Sequence, residues 1–147
     1  MPSTCPECGA ALDETTCQLI FDSFLALEFS DPAYGDVHFL TVACFMIQHK
    51  RYSDEGLVWI EKKLRDVLVN EVPVDEIRRQ AGRETGQGKH TWKVTRQPGE
   101  RALPKIHWSM TIADVASSFR DAATYCELVK EWANKSVREM KPWLPDN

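Results

Sequence analysis

Apolar residues recur at three- and four-residue intervals along much of the chain. The first such run is TCQLIFDSFLALEF, where Leu19, Ile20, Phe24, Ala26 and Leu27 gather on one side of a helical wheel. That period is the mark of a helix with one face turned to a core, and it predicts a first helix over about residues 16–29. The next run, SDPAYGDVHFLTVACFMIQHK, opens with Asp31 as N-cap and Pro32 at the first helical position, where a missing N–H costs nothing. Val37, Leu40, Val42, Cys44, Phe45, Met46 and Ile47 make this second helix apolar around most of its circumference, so it is expected to be the most buried. Only Ser30 and Asp31 separate the two, which predicts an antiparallel hairpin.

A third helix is expected from Ser53, with acids in its first turn and a stripe of Leu57, Ile60, Leu64, Val67 and Leu68, ended by Pro73. The segment VDEIRRQAG predicts a short helix closed by Gly82. Residues 83–106, rich in Gly, Pro and charge, break the helical period. They predict an extended loop or a short β-hairpin near 90–108, with one strand in HTWKVTR and any hairpin turn at Pro98-Gly99. Thr111 with Asp114 marks another helix start, with a break near Ser118. A last helix then carries Ala122, Tyr125, Leu128, Val129, Trp132, Ala133 and Val137 on one side and ends before Pro142. Trp143 is expected to dock on the body or on a second subunit.

The fold class is thus mainly α: a helical bundle of about five helices built on an antiparallel hairpin, with an N-terminal zinc knuckle and one extended loop. A chain of 147 residues suits a single domain. Its parts are the knuckle at 1–15, helices at 16–82, the loop at 83–106 and C-terminal helices at 107–141. A net charge of −4 argues against capture of nucleic acid, which needs clustered Lys and Arg. No apolar run approaches the ~20 residues of a membrane span, and the start lacks the form of a signal peptide, so the expected location is cytoplasmic.

The cysteines change the picture. Cys5-Pro6-Glu7-Cys8-Gly9 has the spacing of half a zinc site, which asks for four N or S ligands. Cys17, at the start of the first helix, supplies a third thiol. Counted from the turn at Asp31, Cys17 lies roughly 21 Å up the first helix and His49 roughly 27 Å up the second, at the same end of the hairpin. Cys44, at roughly 20 Å on the same count, is the rival fourth ligand. His49 is preferred because it ends its helix beside polar residues. His38 shares a face with His49 but lies roughly 16 Å away along the helix. The expected ligands are Cys5, Cys8, Cys17 and His49, with Zn2+ as the ion, while Cys44 and Cys126 read as buried free thiols.

CPECGA, Cys17, DPAYGDVHFLTV, the Gln48-His49 pair and TIADVA before ELVKEWANKSV together resemble an uncharacterised bacterial family of small proteins, a domain-of-unknown-function family. In that family the middle segment continues V-D-A-Y and Q-H-P, where this chain has Ala43, Cys44 and Phe45, then Lys50. The resemblance implies the metal ligands and offers no reaction.

Elsewhere, His38 with Glu28, Asp31, Tyr34 and Asp36 reads as a polar cluster at the turn, either an acid-base site or a hydrogen bond tying the helix to the turn. His90 and His107 beside Trp92 and Trp108 read as rim packing. The favoured function is a zinc-stabilised interaction or regulatory module, with a protein partner or homo-oligomer expected. The alternative is a metal-dependent, hydrolase-like enzyme with water in an open fourth position.

Overall fold

A computed structural model describes residues 2–85 and 93–145. The chain opens with two short antiparallel strands, β1 (Pro2–Thr4) and β2 (Ala11–Asp13), with Ser3 opposite Leu12. The apolar period gave no hint of this sheet, because strands of three residues are too short to show one. Helix α1 (Cys17–Ser30) follows, its first turn capped by the Thr16 hydroxyl, which accepts from the Leu19 N–H at 3.1 Å.

The expected second helix is two pieces. Helix α2 (Pro32–Gly35) starts on the Asp31 carboxylate, which accepts from the Ala33 N–H at 3.0 Å. Helix α3 (His38–Gln48) begins only after Asp36 and Val37. Gly35 marks the seam: a Cβ there would lie 2.7 Å from the Glu28 carbonyl oxygen, so the α2 backbone presses directly on the last turns of α1. Only a glycine permits that approach. Despite the break, α3 runs antiparallel to α1. Phe21 stacks on Phe45 at 4.0 Å near one end, and Glu28 meets His38 near the other.

Helix α4 (Asp54–Leu68) is capped by Ser53, stops short of Pro73, and is followed by Glu71 at φ 55. Helix α5 (Val74–Thr85) continues through Gly82 rather than closing there. From residue 93 the chain is extended. Gly99 turns at φ +93, yet no hairpin forms among the described residues; Thr95 instead makes a bridge to Tyr52. His90, Thr91 and Trp92, the first three residues of the expected strand, lie outside the described residues. Arg96 and Arg101 strap this segment to Asp54, at 2.9 and 3.0 Å.

Helix α6 (Ile112–Ser118) opens on the expected Thr111–Asp114 capping box. Helix α7 (Ala122–Glu139) then crosses the molecule and leads into a 3-10 turn (Lys141–Trp143). There are therefore seven α-helices among the described residues where about five were expected.

The core lies chiefly between α3, α4 and α7, where Leu40, Ile47, Leu57, Leu64, Val129 and Trp132 are buried. Trp143 docks on the body as expected. It is fully buried, donates from Nε1 to the Pro104 carbonyl at 2.6 Å, and meets Trp108 edge-on. Two apolar assignments fail: Leu19, 59% exposed, and Ala26 both face outward, because α1 turns Cys17, Phe24 and Glu28 inward instead. No helix among the described residues is long and apolar enough to cross a membrane.

Candidate metal centre

The loop between β1 and β2 builds the first half of the centre. The Cys5 N–H donates to the Ala10 carbonyl and the Gly9 N–H to the Cys5 carbonyl, both at 2.9 Å. Gly9 closes this tight loop at φ +80, a conformation L side chains resist. Cys17 is the first residue of α1.

His49 is the C-cap of α3, at the same end of the α1–α3 pair as Cys17. There Lys50 adopts φ 58, its N–H donates to the Ile47 carbonyl at 3.1 Å, and the Arg51 N–H donates to the Met46 carbonyl at 2.9 Å. This is a Schellman closure, which fixes the last turn and the side chain at its cap.

Three segments remote in sequence thus deliver four donors to one place. The ligand atoms of Cys5, Cys8, Cys17 and His49 all lie within 4.8 Å of one another, and all four residues are buried. The Cys8 and Cys17 sulfurs are 3.6 Å apart, and His49 Nε2 lies 3.8 Å from the Cys5 sulfur. In a tetrahedron with Zn–S bonds of ~2.3 Å, neighbouring sulfurs stand about 3.8 Å apart, so the spacing fits such an ion. The imidazole is already oriented. Its Nδ1 donates to the Phe45 carbonyl at 2.7 Å and its ring stacks on Phe45, which leaves Nε2 as the free donor atom.

The electrostatics agree with a cation site. The hydrogen bond from Cys17 brings the Cys8 thiol down to about 4, against the opposing effect of burial. Cys17, holding the shared proton beside Cys8, is pushed up by the same hydrogen bond and by burial. For His49, burial pulls downward, but the Cys8 sulfur and the Phe45 carbonyl outweigh it and the net direction is up. A recess of about 310 Å³ lined by Thr16, Gln18 and Arg51 together with Cys5, Cys17 and His49 gives a path inward.

Cys44, the rival ligand, is not brought here. It is fully buried in α3 against Ser136 of α7, and burial pushes its thiol up. Cys126 sits apart on α7, its thiol 3.3 Å from the Ala33 carbonyl, and is only partly buried.

At the opposite end of the α1–α3 pair, the polar cluster differs from the expected one. Glu28 is buried and receives His38 Nδ1 at 2.8 Å, the Thr41 hydroxyl at 2.6 Å and the Tyr125 hydroxyl. Thr41 and Tyr125 were not expected in it. An acid in the otherwise apolar run FLALEF is the signal that points to such a network, since a buried carboxylate requires donors. Asp31 instead caps α2.

The sequence profile of a family of unknown function, DUF5946, matches residues 3–141, a span that includes all four clustered residues. No curated protein and no solved structure matches the chain.

Proposed function

The chain belongs to DUF5946, a family of unknown function, and we propose from its site that Cys5, Cys8, Cys17 and His49 bind one zinc ion as a structural centre of a helical interaction or regulatory module. The observation that carries this reading is the convergence of four buried donors from the N-terminal loop, the start of α1 and the end of α3. Soft thiolates with an imidazole suit zinc and not magnesium or calcium.

Four protein donors fill a tetrahedron and leave no position for water, which favours a structural centre over the hydrolase-like alternative. The ion's role is mechanical. Strands of three residues cannot hold a hairpin in water on their own, so coordination supplies folding energy that ties residues 2–13 to the helices. A closed centre does no chemistry, so partner recognition falls to the outer surface, where Phe29 and Val69 stand 75% and 71% exposed.

Thermal melting before and after chelation tests the reading, with His49→Ala and Cys44→Ser as paired variants. The chelator should lower the melting temperature of the parent and of Cys44→Ser while leaving His49→Ala, already deprived of tight binding, little changed. Equal response in both variants would remove His49 from the centre.

A further inference from the structure

We propose that the cleft between the C-terminal ends of α4 and α7 binds a small organic anion carrying a carboxylate or phosphate group. The proposal is independent of the metal centre. The cleft has a volume of about 510 Å³, within the range of small-ligand sites. Arg65, Arg138 and Lys141 line it together with Asn70 and Asn134, and no carboxylate is among its lining residues. In a chain of net charge −4, that is a local reversal of sign.

The cations have an ordinary alternative role, since Arg65 and Arg138 occupy the last turns of α4 and α7 and so complement the helix dipoles. That role does not exhaust the charge. Glu61 pairs with Arg65, and Asp66 is held by Lys62 and by the Asn70 amide. Among the described residues no carboxylate pairs with Arg138 or Lys141. After Glu61 and roughly half a negative charge for each helix end are set against the three cations, about one positive charge remains, facing a concave space. Arg138 offers the planar fork that matches a carboxylate or phosphate, and Lys141 adds a point charge. Val69 and Val137, also in the lining, provide an apolar wall for the carbon skeleton of such a ligand.

Isothermal titration of the full chain with succinate and, separately, with glycerol 3-phosphate tests the assignment, against glycerol as the uncharged control. The expected result is saturable binding of at least one anion and none of glycerol, with affinity falling as salt is raised. The arm that binds identifies the head group. Arg138→Gln with Lys141→Gln should weaken that binding by roughly tenfold or more, while Lys130→Gln, elsewhere on α7, should leave it unchanged. Thermal melting of each variant confirms folding, and if the double variant does not fold, the single variants carry the same comparison. Failure of both anions to bind saturably, or binding unaltered in the cleft variants, would overturn the proposal.

Discussion

Replacing Tyr125 with Phe deletes one oxygen and leaves the ring. The ring keeps its edge-on contacts with Phe24 and Phe119, at 5.2 and 5.1 Å between centroids. What is lost is one of three donors to the buried Glu28 carboxylate. Burial, and then Glu28 itself, push the phenol's pKa upward, so it donates as a neutral hydroxyl throughout the physiological range. Tyr125 is fully buried, so no solvent stands ready to replace it. A hydrogen bond to a charged group contributes about 1.5–3 kcal/mol. For a chain of this length 1 kcal/mol corresponds to about 3 °C, so Tyr125→Phe should lower the melting temperature by about 5–9 °C.

Thermal and urea unfolding followed by circular dichroism are the assays. Thr41→Val removes a second donor, and the double variant should lose less than the sum of the two singles, since both act through one carboxylate. A shift within about 1 °C for Tyr125→Phe, or strict additivity, would refute the claim that Glu28 gathers these donors into one buried hub.

Gly35→Ala places a methyl 2.7 Å from the Glu28 carbonyl oxygen and should destabilise by about 1–3 kcal/mol in urea unfolding. Asp54 lies under Arg96 and Arg101; burial is the largest single influence and raises its pKa, but the hydrogen bonds and charges of the two guanidiniums together outweigh it and hold the carboxyl below its usual range. Asp54→Asn should therefore free the segment from residue 93 onward and speed its cleavage in limited proteolysis, with α4 and α7 surviving. Tyr52 and Tyr125 are both raised by burial, so their folded pKa values exceed the unfolded value of ~10. The stability they support is complete below pH ~10 and falls as pH climbs past it, which alkaline melting curves would show as a steepening loss.

The helices were legible because their boundaries rest on local chemistry: Asp31 with Pro32, Ser53, and Thr111 with Asp114 each cap a helix where the sequence places them. Helical rise alone leaves Cys44 level with Cys17, and what favours His49 in the sequence is its place at the end of the helix beside polar residues. Despite the break at Gly35, α3 still runs antiparallel to α1, and His49, not Cys44, lies beside the three thiols. What the sequence hid was tertiary. The exposure of Leu19, the continuation of α5 through Gly82 and the partners of Glu28 depend on which neighbours pack there, and periodicity carries no record of that. The β1–β2 pair was missed because three residues cannot display a period of two.

The most direct measurement is the metal content of the protein as purified, by native mass spectrometry and elemental analysis, followed by melting with and without chelator. The account predicts one zinc per chain, its loss in any variant lacking Cys5, Cys8, Cys17 or His49, and a lower melting temperature once it is removed. A chain isolated without metal, whose melting is the same in the presence of EDTA, would contradict it.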